Sequence, residues 1–185
     1  IKGKKYAFRN DGRMIDGLKF IKEEGNGLDV IADDDATYNF DNEDDFDENS
    51  LALEALGYKC YYFGNGDDGA MKTGKQTIDL DGDKFTFKFQ TKSALKGAGI
   101  NGEDDDKYYL GGKLVTADKE DKFMIASIDS TGNVEAGYGN SASNSLQVKA
   151  KDLISDNTLF TKVTSTTDPD YKKDAQVWVA VKDAN

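Results

Sequence analysis

The chain has 185 residues, 37% of them hydrophobic and 32% charged, and carries a formal net charge of −11. That surplus of acids argues against a nucleic-acid partner, whose affinity comes mainly from Lys and Arg neutralising phosphates, and it disfavours strongly anionic wall polymers. Histidine is absent, which removes the commonest general base, the His-dependent nucleophile pairs and most zinc sites, and the only cysteine, Cys60, cannot form an internal disulfide.

No apolar run approaches the ~18 residues that a membrane-spanning helix needs. The first eight residues already look like part of a structured segment. The expectation is therefore an excised piece or mature product, for which a missing signal peptide says nothing about export.

Residues 5–17 place the aromatics Tyr6 and Phe8 ahead of a polar turn at Asn10, Asp11 and Gly12, followed by Met14 and Gly17. The same order returns in residues 60–74. There Tyr61, Tyr62 and Phe63 precede a Gly-rich turn over 64–69, then Met71 and Gly74. A shortened copy spans 107–117, with Tyr108, Tyr109 and Leu110, then Gly111 and Gly112, then Leu114. Between the last two lies another aromatic run, Phe85, Phe87 and Phe89. Aromatic strands thus begin at a spacing of about 23 residues, the mark of an internal repeat. Alternating aromatics predict strands with one apolar face, and the Asn, Asp and Gly turns supply the positive-φ positions of hairpin loops. One hairpin is marginal in water, so successive hairpins are expected to stack their ring faces, with Met14 and Met71 packing among the rings.

Residues 22–57 interrupt this pattern with the most acidic stretch of the chain, including Asp33, Asp34, Asp35, Asp41, Glu43, Asp44, Asp45, Asp47 and Glu48. A short helix is expected over roughly 50–56, capped by Asn49 or Ser50 and ended by Gly57, with Leu53 and Leu56 packed on the hairpins. Short strands are expected at 29–32 and 37–40. Tyr58, Cys60 and Tyr62 alternate onto one strand face, where Cys60 reads as a half-buried structural thiol. Strands are also expected over 77–80 and 84–89. From about 122 the repeat fades into further strands at 122–128, 146–149 and 176–181, with a turn at 129–133 and loops at 141–145 and 165–170. The last strand puts Val177, Val179 and Val181 on one face and Trp178, as an edge cover, on the other.

The run Tyr61, Tyr62, Phe63, the turn over 64–69 and the Met71-to-Gly74 segment resemble the cell-wall-binding repeat family, which includes choline-binding and glucan-binding repeats. A weaker copy spans 6–17, and the resemblance covers residues 1–21 and 58–121. It implies a hairpin-stack fold, an extracellular, non-catalytic role, and attachment to teichoic choline or polysaccharide. The chain departs from the family where choline binders usually carry Trp: Leu18 and Lys75 follow the glycines, and Lys5, Cys60 and Lys107 precede the aromatics. A quaternary ammonium site needs several ring faces, Trp best of all. Tyr6, Phe8, Met14, Tyr61, Tyr62 and Met71 match family positions that line ligand grooves or pack neighbouring hairpins. Tyr108 and Tyr109 join them as candidates from the shortened copy.

Gly97, Gly99 and Gly102 match G-x-G-x-x-G. Glu103, Asp104, Asp105 and Asp106 follow in place of a helix, which argues against a nucleotide site. Asp79, Asp81 and Asp83 resemble the start of a calcium loop, but Lys84 and Gln90 occupy its sixth and twelfth positions, so a tight turn explains them. The acidic run over 33–48 reads as a solvated loop, with scattered calcium ligation as the alternative. No spacing singles out a hydrolytic carboxylate pair or a nucleophile motif.

The expected fold is mainly β: an elongated stack of β-hairpin repeats over 1–121, one short helix in the acidic insertion at 22–57, and a β-rich extension over 122–185. The expected function is a non-catalytic module of a secreted, cell-surface protein, without cofactor or metal, binding cell-wall glycan or polysaccharide. A structural spacer or protein-interaction module is the alternative. Neither nucleic acid nor membrane insertion is expected.

Overall fold

The computed structural model describes residues 3–9, 11–32 and 35–116, and the backbone of four strands beyond them. In chain order the strands are β1 (Leu18–Glu24), β2 (Gly27–Ala32), β3 (Lys59–Tyr62), β4 (Gly74–Leu80), β5 (Asp83–Phe89), β6 (Gly102–Asp104), β7 (Lys107–Leu110), β8 (Lys113–Leu114), β9 (Phe123–Ile128), β10 (Val134–Glu135), β11 (Val148–Lys149) and β12 (Val177–Lys182), with helix α1 (Glu43–Ala55) between β2 and β3. The chain is mainly β, as its aromatic alternation predicts. It divides into two compact units: Ile1–Ile100 with Leu110–Leu114, and Asn101–Tyr109 with Val115–Asn185.

In the first unit, β1 pairs antiparallel with both β2 and β3, and β5 pairs antiparallel with β4 and, at Phe87↔Lys113, with β8. The turn between β4 and β5 has its two central residues at positive φ, Asp81 at 50° and Gly82 at 90°. This is the mirror-image turn whose twist matches a hairpin, and the Gly82 amide donates to Asp79 Oδ1 at 2.8 Å. The Asp79–Asp83 carboxylates therefore shape a turn. In the second unit β6 and β7 form a hairpin, β12 pairs along the whole of β9, and β10 and β11 pair with opposite ends of β9.

The main core of the first unit joins Leu18 and Phe20 of β1, Tyr58, Cys60 and Tyr62, Ile78 and Leu80 of β4, and Phe87 and Phe89 of β5 with Phe40, Phe46 and Leu53. Cys60 lies on the face it shares with Tyr58 and Tyr62, as the alternation predicts, but is fully buried rather than half-buried, because Phe20, Phe87 and the helix residues belong to the same core cluster. Burial pushes its thiol pKa well above the ordinary range, so it is an inert structural residue.

Helix α1 starts seven residues earlier than the sequence suggests. Asn42 is the cap, its side chain accepting from the Asp45 amide at 3.0 Å, and Glu43, Asp44 and Asp45 occupy the first turn. There the carboxylates face the positive end of the helix dipole. Phe46, Ser50 and Leu53, at intervals of four and three, form the buried stripe. Of the acids expected in a solvated loop, Glu43, Asp44, Asp45, Asp47 and Glu48 thus open a helix, while Asp35 and Asp41 lie before it. Gly57, at φ +91°, does follow the helix end, but Leu56 is exposed rather than packed. No strand forms over 37–40, because Asp35 Oδ1 accepts from the amides of Thr37 and Tyr38 at 2.8 and 3.0 Å and bends the chain. Asp33 and Asp34, the turn at 129–133, the loops at 141–145 and 165–170 and the side chain of Trp178 lie outside the described residues.

Phe46 meets Phe20, Phe40 and Phe87 at ring-centroid distances of 5.9, 6.4 and 5.3 Å and has no exposed surface. Phe46→Ala is expected to cost about 3–5 kcal/mol, because it empties the junction between helix and sheets. Urea unfolding followed by far-UV circular dichroism measures this; a loss below about 1 kcal/mol contradicts the assignment.

Candidate functional site

The aromatic–glycine segments share a backbone pattern that their sequences only suggest. In the first, the Ile15 amide donates to the Ala7 carbonyl at 2.9 Å; in the second, Lys72 donates to Tyr62 at 2.7 Å. The same bond appears where no copy was expected, from Ile100 to Lys88 at 3.0 Å. The segment over 97–102, which reads as a G-x-G-x-x-G lookalike, therefore makes the same backbone bond as the other two. Its glycines Gly97 and Gly102 correspond to Gly12 and Gly17, and to Gly69 and Gly74. All six have positive φ. Gly99 stands where Met14 and Met71 stand, and the missing Met hides this likeness. The spacing of five between paired glycines was the signal available to find it.

The candidate residues divide by their place in these copies. Tyr6 and Tyr61 hold the first aromatic position and are partly open to solvent; Tyr108 is partly open too, but its carbonyl accepts from the Val115 amide at 2.9 Å, which matches it to Ala7 and Tyr62. The residue after each of these tyrosines, Ala7, Tyr62 or Tyr109, is buried. Tyr62 stacks on Phe89 at 6.3 Å and its hydroxyl donates to Asn65 Oδ1 at 3.1 Å. Tyr61, at 6.3 Å from Phe63, packs with Met71 against a second core cluster of Ala7, Ile15, Ile21 and Phe63. Phe8 and Met14 face each other across an isolated β-bridge and are 53% and 37% exposed. The first-unit candidates thus serve mostly to join neighbouring segments, while Tyr6 and Tyr61 stay partly exposed and the Phe8–Met14 pair lies in solvent.

Met14 and Met71 occupy matching seats. A Cβ built on Gly69 would lie 2.3 Å from the Met14 sulfur, and one built on Gly97 would lie 2.3 Å from the Met71 sulfur. Each thioether lies on a bare glycine of the following copy. A Cβ on Gly12, by contrast, meets nothing within 4 Å among the described residues.

One polar cluster was not foreseen. Lys113, on β8, is almost fully buried. Its Nζ lies 2.9 Å from both Asp47 oxygens, 2.7 Å from Glu43 Oε1, and 5.2 Å from the Phe85 ring centroid. Burial opposes the ammonium, but the two carboxylates overcome it and hold the Lys113 pKa above its ordinary value. Glu43 and Asp47 are one helical turn apart, so the lysine ties α1 to the β5–β8 sheet. Lys113 is 66 residues from Asp47 in sequence, so only the fold brings it to the helix carboxylates. Among the described residues, no group of three or more Cys, Asp or Glu side chains has the geometry to hold a metal ion.

Comparison with protein families, with curated proteins and with solved structures gives no match for this chain.

Gly12→Ala and Gly69→Ala both force a side chain into left-handed backbone, a shared penalty of about 1 kcal/mol. Gly69→Ala must also displace Met14, and is expected to cost about 1 kcal/mol more than Gly12→Ala in denaturant midpoints. Equal losses would mean that the Met seat carries no energy.

Tyr58 donates its hydroxyl to Asp29 Oδ2. That bond, then burial, then nearby carboxylates push its pKa from 10.0 up to about 12. A raised tyrosine pKa contributes stability that is complete below about pH 10 and is lost as pH climbs through about 12. Urea midpoints of the parent chain are therefore expected to fall more steeply between these values than those of Tyr58→Phe. Parallel pH profiles would show that the bond is not made.

Proposed function

We propose that the chain is a stack of β-hairpin repeats forming a non-catalytic module of a secreted, cell-surface protein, which it holds on bacterial cell-wall glycan or polysaccharide. One observation carries this reading. Tyr6, Tyr61 and Tyr108 are each partly exposed to solvent while the residue that follows is buried. A half-anchored ring presents a stiff apolar face at little entropic cost, and such a face stacks on a sugar ring. Neutral polysaccharide also suits a chain of net charge −11. The resemblance to cell-wall-binding repeats supports the same reading, with polysaccharide favoured over choline because no copy carries a tryptophan.

The alternative is a structural spacer or protein-interaction module with no glycan ligand. It is favoured by the burial of Tyr62 and Tyr109 and by the packing of Tyr61 and Met71 on the second core cluster.

Retention on purified bacterial cell walls and on an array of neutral polysaccharides decides between them. Glycan binding predicts retention that weakens by up to about tenfold for each of Tyr6→Ser, Tyr61→Ser and Tyr108→Ser, an aromatic contact contributing about 0.5–1.5 kcal/mol. No retention on any surface would overturn the glycan reading and leave the spacer.

A further inference from the structure

We propose that the outer face of the first hairpin, around Phe8 and Gly12, is a vacant docking seat for one more hairpin of the same aromatic–glycine–methionine kind. The inference rests on the repeat architecture proposed above but not on its glycan ligand.

The segments follow one packing rule, and one place in it is unfilled. The residue at the Met position of each copy lies against a glycine of the next copy. Met14 lies on Gly69, and Met71 lies on Gly97. Gly99, in the same position of the third copy, brings its Cα within 3.0 Å of where a Cβ on Gly112 would be. Three successive junctions thus use one geometry, side chain or backbone against a glycine of positive φ. Gly12 has that conformation too, at φ +83°, and among the described residues nothing lies within 4 Å of its Cβ position.

The backbone repeats the same rule. The Met71 amide donates to the Lys5 carbonyl at 2.9 Å, and the Gly99 amide donates to the Cys60 carbonyl at 2.7 Å. Lys5 and Cys60 occupy equivalent places at the head of their copies. In each case the Met position of one copy bonds to the head of the copy before it. In the first copy the equivalent amide belongs to Met14.

Burial points the same way. Phe63, the third aromatic position of the second copy, is 3% exposed, because Ala7 and Ile15 of the first copy cover it. Phe8 holds the same position in the first copy and is 53% exposed. A hairpin that carries a Met or Leu after its turn and small or aliphatic residues on its inner face would fill the Gly12 seat and cover Phe8. The contact continues an interface already present at the next junction, so it needs no new kind of surface.

The test joins a copy of residues 59–79 ahead of Ile1 in the whole chain, supplying an aromatic strand, a turn and a Met. Gly3, at φ +75°, then takes the turn position that Gly82 takes between β4 and β5. Hydroxyl-radical labelling reads the outcome at Phe8, with the exposed Leu56 and Leu95 as internal controls. Docking predicts that Phe8 labelling falls severalfold while both leucines stay unchanged. It also predicts that Phe8→Ser is near neutral in the chain without the added copy and destabilising in the extended one. Phe8 labelled as before in a folded extended chain overturns the proposal. So does an added copy that stays unfolded, since the seat has then failed to hold it. Protection of Phe8 that appears without the added copy as protein concentration rises assigns the face to a second molecule instead. Wall retention is a separate readout, so the docking seat and the glycan reading can fail independently.

Discussion

Bare backbone at a few glycines is the constraint on which the hairpin junctions depend. Met14 and Met71 reach van der Waals contact with Gly69 and Gly97 only because those residues have no Cβ, and at Gly99 and Gly112 two backbones approach directly. Gly69, Gly97 and Gly112 also hold positive φ, which turns the chain after each aromatic segment. One residue type therefore meets two demands at once, a turn and a close approach. A side chain at any of these places would strain the backbone and separate neighbouring segments.

Around these junctions the acidic insertion adds what the hairpins lack, a compact apolar centre. Helix α1 delivers Phe46 and Leu53 into the gap lined by Phe20, Phe40 and Phe87. Its opposite charges are not idle. Glu43 and Asp47 close on Lys113 and attach the helix to β8. A buried ion pair of this kind gives little net stability, but breaking it by removing one partner leaves a buried charge exposed to no solvent. Its value lies in fixing where the helix docks.

The parts of the fold legible from sequence were those with short-range causes. Alternation of Phe85, Phe87 and Phe89, and of Tyr58, Cys60 and Tyr62, placed β5 and β3 and their inward faces, because strand periodicity is local. The Asp81–Gly82 turn was legible for the same reason. Helix α1 was half-legible. Gly57 marked its end, but its start was assigned to Asn49 or Ser50 because the acids before them resemble a solvated loop. What makes them helical is the Asn42 cap and the burial of Phe46, and the second of these is a tertiary fact. The segment at 97–102 went unrecognised because Gly99 replaces the Met on which the pattern was keyed.

Among the candidate residues, sequence alone determined which positions of the two longer segments are equivalent: Tyr6 with Tyr61, and Met14 with Met71. Equivalence follows from order and spacing, which the chain carries openly. Only tertiary structure decided which of them face solvent. Tyr62 and Tyr109 are buried while Tyr61 and Tyr108 are partly open, and Phe8 is exposed where Phe63 is covered. Identical residue types differ in this way because burial depends on what lies across the junction, and for Phe63 that neighbour, the segment around Ala7 and Ile15, is more than forty residues away in sequence.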